Sequence, residues 1–174
     1  MDPPHKPAPA GPAIIHCFDD FGPVERAPWR EAEMAEPRLE LVRTLLKRAQ
    51  LEHHIVLHPG DSSVEIRKFR EQLRGKVEAW PGESREHLGG VGFALVDGNH
   101  SVQGVLQDFW AIEPVLNTGG YVVLHDTFPE QCGDHRGPRH LIDQIKSVAQ
   151  GMYEVCELYT APLNYGIGLL RRVG

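Results

Sequence analysis

The sequence predicts an α/β domain on a mostly parallel sheet, with helices on both faces and a closing antiparallel hairpin. Three observations carry this expectation. Short apolar runs alternate with segments of helical periodicity along the chain, the pattern of strands joined by crossover helices. Two of the runs end in acidic and imidazole groups: Phe93 to Val96 leads into Asp97 and His100, and Tyr121 to Leu124 leads into His125 and Asp126. The last two runs are separated only by Ala161-Pro162-Leu163-Asn164. That link suits a hairpin, because parallel neighbours need a longer crossover.

The elements follow in order. Residues 1–12 are proline-rich and read as a mobile arm, leaving residues 13–174 as one domain. Ala13 to Phe18 is a short strand ended by Asp19-Asp20-Phe21-Gly22-Pro23. Val24 to Glu36 is polar and irregular. Arg38 to Gln50 is a helix whose apolar stripe is Leu41, Val42, Leu45, Leu46 and Ala49. His54 to His58 is a strand stopped by Pro59-Gly60. Asp61 or Ser62 then caps a helix to about Arg74, with Glu65 placed as a capping-box partner of Ser62. Gly75 to Gly90 is a polar connection, and Val91 to Val96 is a strand. Ser101 caps a helix bearing Val102, Val105, Leu106, Phe109 and Ile112. Tyr121 to Leu124 is a strand, Thr127 to Pro138 a loop, and Arg139 to Ala149 a helix. Tyr153 to Tyr159 and Tyr165 to Arg172 form the closing hairpin.

Composition narrows the classes. The 174 residues suffice for a real core, and 41% of them are hydrophobic. No apolar run approaches the roughly 18 residues of a membrane span, and the N-terminus has no signal-type apolar core. A formal net charge of -6 argues against a nucleic-acid surface. Cys17, Cys132 and Cys156 are widely spaced and form no zinc or disulfide framework. Cys17 and Cys156 lie in apolar runs and read as buried thiols, which suits a reducing cytoplasm.

The chemistry-bearing residues gather at strand ends. In open parallel sheets the ligand crevice lies outside the carboxyl ends of the strands. Asp97 and Asp126 at neighbouring ends suit a hard divalent cation such as magnesium. Their plainer role is to cap the turns that follow. His100 and His125 flank them, and a histidine beside a carboxylate serves as a general base near neutral pH. The plainer role is a ring bonded to loop backbone. Asp19 ends the first strand, where an acidic side chain receives ribose hydroxyls in dinucleotide folds. Asp61-Ser62 is placed to meet an adenine edge, a role compatible with capping a helix.

Together these residues resemble a class I S-adenosylmethionine-dependent methyltransferase with a Rossmann-like sheet. The nearest branch is that of cephalosporin hydroxylase and the catechol-type O-methyltransferases. The resemblance rests on Asp97-Gly98-Asn99-His100, Asp108 within the next helix, Leu116 to Gly120, His125-Asp126 and the final Gly-Ile-Gly-Leu-Leu. It implies methyl transfer to a small-molecule hydroxyl, with a divalent cation assisting. It implies that Asp19, Asp61, Ser62 and Asp97 contact the cofactor and that Asp97 and Asp126 hold the metal. His100 stands where catechol-type enzymes carry a catalytic lysine, so His100 becomes the expected base. The chain departs from the pattern in that no Gly-x-Gly loop occurs before Asp19 and only a dozen proline-rich residues, in place of a first strand, precede Ala13. The expected domain is therefore N-terminally incomplete, and its first strand should lack a partner on one side unless the arm or a second chain, in a homo-oligomer or otherwise, supplies it. Two other classes stay open: a non-catalytic methyltransferase-like subunit that binds a partner, and a metal-dependent hydrolase using Asp97, His100, His125 and Asp126.

Overall fold

The computed structural model describes residues 13–22, 37–78, 90–128, 136–159 and 166–174. The arm at 1–12, the 24–36 loop, Cys132, His135 and the 161–164 link lie outside these. The elements are β1 (Ile15–Asp19), α1 (Arg38–Arg48), β2 (Ile55–Pro59), α2 (Ser62–Glu78), β3 (Val91–Val96), α3 (Val102–Ile112), a 3-10 turn (Glu113–Val115), β4 (Leu116–His125), α4 (Gly137–Val148), β5 (Tyr153–Leu158) and β6 (Ile167–Arg172). The chain divides into two compact units, Met1–Glu65 and Ile66–Gly174. Among the described residues no helix is long and apolar enough to cross a membrane.

In the first unit β1 pairs parallel with β2, Ile15 opposite Ile55 and Asp19 opposite Pro59. β1 has no second strand partner among the described residues. Its outward residues are consequently exposed, Ile15 at 60%. Cys17 is exposed too, as is Cys156 in β5. Both were expected to be buried. An apolar run buries every residue only where both sheet faces are covered, and here alternate residues face outward. Desolvation nonetheless raises the Cys17 thiol above its ordinary pKa, and Asp19 raises it further.

Asp61, not Ser62, caps α2. Its Oδ1 accepts from the Ser63 hydroxyl at 2.6 Å and from the Val64 amide at 3.1 Å. The Glu65 amide donates to the Asp61 carbonyl. The helix continues to Glu78, four residues beyond the expected end at Arg74.

The second unit holds a four-stranded sheet in the order β3-β4-β6-β5. β3 and β4 are parallel, with Val96 opposite Leu124. β6 lies antiparallel to both β4 and β5. The expected hairpin is present, and its second strand is the one that docks on the parallel pair. β4 starts at Leu116, before the expected Tyr121, because Leu116 pairs with Val91 across an irregularity in register.

One sheet face carries the core. Ala94, Val96, Val122, Leu124 and Leu170 pack with Val105 and Phe109 of α3 and Leu141, Ile142 and Ile145 of α4. Both helices bury an apolar stripe there, as i, i+3, i+4 spacing requires. Residues on the opposite face are exposed, Phe93 at 63% and Leu95 at 59%. Arg172 ties the far end of the sheet together, donating to the carbonyls of Glu113 and Leu116, both at 2.9 Å. Nearby, burial and the Glu113 carboxylate push the Tyr153 hydroxyl up to about 12.

Candidate functional site

β3 and β4 end side by side. Because Val96 opposes Leu124, the next residues of the two strands, Asp97 and His125, are neighbours. The His125 Nδ1 lies 3.0 Å from Asp97 Oδ1 and 3.0 Å from Asp126 Oδ1. Asp126 leaves the strand with φ of 58°. Left-handed backbone is uncommon outside glycine, though Asp tolerates it better than most residues.

His100 enters from the loop after β3. Its Nε2 is 3.2 Å from Asp97 Oδ1, and its Nδ1 is 3.1 Å from Asp126 Oδ2. The ring is thus held between two carboxylates, with its side chain only 12% exposed. The Asp97 and His125 side chains are far more open, at 46% and 44%.

Two hydrogen bonds fix that loop. The Ser101 hydroxyl accepts from the Gly104 amide at 3.0 Å, the expected N-cap of α3. The Gly137 amide at the start of α4 donates to the His100 carbonyl at 2.9 Å. Gly104 and Gly137 permit close approach. A Cβ on Gly104 would stand 2.7 Å from the Asn99 carbonyl, and one on Gly137 would stand 2.6 Å from that of His100. The start of α4 at Gly137-Pro138 is therefore part of the site's scaffold, although the sequence reading placed both residues in a loop. Asp108 is buried in α3 at 8% exposure. Its Oδ2 is 3.7 Å from where a Cβ on Gly98 would lie.

The expected site residues fall into two sets. Asp97, His100 and Asp126 come together, and His125 joins them at the centre. His125 was expected beside Asp126 at this strand end, either as a member of the site or as a ring bonded to loop backbone. Asp19, Asp61 and Ser62 belong to the first unit. Asp19 ends β1 as expected. Its Oδ1 accepts from the Phe21 amide at 2.6 Å, and its Oδ2 lies 3.4 Å from an Arg38 amine. Asp61 is engaged in capping α2, and Ser62 is half-buried beside it. In the same unit the His16 and His58 rings meet at 2.9 Å. Burial lowers the His58 pKa, against an upward pull from Glu65. Nothing in the local sequence around either histidine points to this pair.

Chemically, the second-unit cluster offers two imidazoles and two carboxylates within hydrogen-bonding reach. Asp97, His100 and His125 can each direct one ligand atom inward, these atoms lying within 4.8 Å of one another. The arrangement can accept a proton, hold a cation, or orient a hydroxyl.

A family model described as a methyltransferase domain matches residues 9–127. The chain is similar to the O-methyltransferase TomG of Streptomyces achromogenes, involved in tomaymycin synthesis and solved with S-adenosylmethionine. The two share 16% identity at a TM-score of 0.57, covering 92% of this chain and 73% of TomG. CalS11, a calicheamicin methyltransferase, is 16% identical at a TM-score of 0.56, with 91% and 60% covered. A protein from Corynebacterium glutamicum is 16% identical at 0.52, with 92% and 61% covered. The chain therefore spans about three fifths of the length of these last two. The likeness establishes a Rossmann-like α/β fold.

Proposed function

This chain belongs to the methyltransferase-domain family, and from that premise we propose that it transfers a methyl group from S-adenosylmethionine to a hydroxyl of a small molecule, assisted by a divalent cation. The observation supporting this reading is His100, held between Asp97 and Asp126 at the ends of two parallel strands. The cofactor supplies a methyl carbon made electrophilic by its sulfonium. The donor set in the chain fits such a group. Asp19 presents a partly exposed carboxylate at a strand end, suited to ribose hydroxyls, and Asp61 and Ser62 carry polar atoms suited to an adenine edge.

The chain's own work is to place the acceptor and take its proton. The hydroxyl proton passes to His100 as the acceptor oxygen takes the methyl carbon and the carbon–sulfur bond breaks. Asp97 and Asp126 stabilise the imidazolium that results. Both carboxylates also suit a divalent cation, which would draw the hydroxyl toward ionisation.

Calorimetry of the full chain with S-adenosylhomocysteine, with and without magnesium, tests the proposal. Binding that weakens in Asp19→Asn and Asp97→Asn supports it, and no binding at millimolar ligand overturns it. His100→Ala should reduce turnover more than cofactor affinity, because a base acts in the transition state. A second reading, a non-catalytic partner-binding domain, is favoured by the exposed apolar Phe93 and Leu95 on a strand that, among the described residues, pairs on one side only. Calorimetric silence toward the cofactor would support it.

A further inference from the structure

We infer that Asp97, His100 and His125 form a binding site for a first-row transition-metal dication, such as cobalt, nickel, zinc or iron, in preference to magnesium. The inference rests on the cation in the reading above and changes its donors.

Geometry comes first. One ligand atom from each of the three residues lies within 4.8 Å of the others. Asp97 Oδ1 is 3.2 Å from His100 Nε2 and 3.0 Å from His125 Nδ1. Donors about 2.0–2.2 Å from a shared ion fall at separations of this order.

Donor chemistry decides between ions. Magnesium takes oxygen ligands and gives up water reluctantly. Imidazole suits zinc, copper, iron and nickel, and two histidines with one carboxylate is a recurrent transition-metal set. A site built for magnesium gains little from replacing oxygen donors with two rings.

Asp126 supplies the independent observation. Its Oδ1 is buried and has no hydrogen-bond partner among the described residues. The His125 Nδ1 stands 3.0 Å away as an ion-pair contact, not as a hydrogen bond. A buried carboxylate oxygen without a hydrogen bond is costly to desolvate, and a cation nearby offsets that cost. The other oxygen, Oδ2, lies 3.1 Å from His100 Nδ1. A carboxylate behind a metal-ligating histidine fixes its tautomer and orientation. Here Asp126 Oδ2 would accept a hydrogen bond from the Nδ1–H and so leave the Nε2 lone pair available to the ion. Asp126 is then the partner of a ligand rather than a ligand. His100 acts as base only in the unloaded site, and in the loaded one the cation's charge ionises the hydroxyl.

The test uses the full chain stripped with chelator and titrated with cobalt(II), followed by visible absorption and calorimetry. One equivalent should bind with ligand-field bands, zinc should displace it, and millimolar magnesium should not. His125→Ala and Asp126→Asn should each weaken cobalt binding by about 10- to 100-fold, with far-ultraviolet dichroism unchanged. His53→Ala, at an exposed histidine elsewhere, should leave it unchanged. Should His125→Ala unfold, His125→Gln serves in its place. Equal competition by magnesium, or equal loss in His53→Ala, would overturn the inference. Cobalt binding without S-adenosylhomocysteine binding would leave this site standing and remove the transferase reading. Cofactor binding with magnesium affinity indifferent to His125 would do the reverse.

Discussion

Gly137 to Ala should destabilise the protein, and Gly92 to Ala should not, although the chemical change is the same. A Cβ on Gly137 would lie 2.4 Å from the Ser101 carbonyl oxygen, 2.6 Å from that of His100 and 2.7 Å from Val105 Cγ2. Real Cβ atoms essentially never approach closer than 3.0 Å, and two of these neighbours are backbone, which no rotamer change can move. Either α4 or the 97–101 loop must shift. Overpacking of this kind costs about 1–3 kcal/mol. Stretching the bond from the Gly137 amide to the His100 carbonyl adds part of about 0.5–1.5 kcal/mol. Alanine returns about 0.4–1 kcal/mol by restricting the unfolded chain. The net expectation is a loss of about 2 kcal/mol. At Gly92 a Cβ meets nothing within 4 Å, so only the gain of about 0.4–1 kcal/mol should remain. Urea unfolding followed by circular dichroism measures both, provided the slopes agree. Histidine ring signals in nuclear magnetic resonance should show His100 displaced in Gly137→Ala alone. Equal midpoints for the two variants, with His100 signals unmoved, would show that α4 does not clamp the site loop.

Two other outcomes follow from the second unit. Phe109, 1% exposed and packed edge-on to Trp110 with Tyr153 nearby, should cost about 3–5 kcal/mol when cut to alanine; a loss under about 1 kcal/mol in urea unfolding would contradict its place in the core. Glu157 faces Arg139, Lys146 and Tyr159; burial alone would raise its pKa, but these partners outweigh it and hold it below the ordinary 4.5. A group depressed in the folded state stabilises above its unfolded pKa and loses that contribution as pH falls. Unfolding midpoints measured from pH 6 to 3 should therefore decline less steeply in Glu157→Gln than in the parent.

How much of this was legible depended on what each local signal reported. The β3 and β4 runs were clear because apolar residues ended sharply in Asp97 and in His125-Asp126. Ser101 was readable as a cap because a hydroxyl directly preceded a helical stripe. The early start of β4 was hidden, since Asn117 and the Gly119-Gly120 pair are poor strand formers and Leu116 is placed by pairing with Val91. The start of α4 carried a usable sign, proline in the first helical turn, overlooked among the glycines and prolines of its loop. The cysteines were misread because an apolar run reports hydrophobicity, not whether both faces of its sheet are covered. His125 was visible at its strand end, but its role was not. Its importance comes from the parallel register that sets it beside Asp97, and register is a tertiary fact.

The fold and the metal chemistry answer separable questions. A Rossmann-like sheet brings the ends of parallel strands together whatever residues occupy them, so the fold accounts for the proximity of Asp97 and His125 but not for their identity. Function has to be argued from the site. Oxygen donors alone at these ends would have favoured an oxygen-seeking ion. The chain instead sets two imidazole nitrogens beside one oxygen of Asp97 and, among the described residues, leaves a buried oxygen of Asp126 without a hydrogen-bond partner. These features lie wholly within the second unit, whereas Asp19, Asp61 and Ser62 lie in the first. Metal binding should therefore survive substitutions at Asp19 or Asp61 that abolish cofactor binding. If cobalt affinity fell together with cofactor affinity in Asp19→Asn, the metal site would be a consequence of cofactor binding rather than a property of the β3 and β4 strand ends.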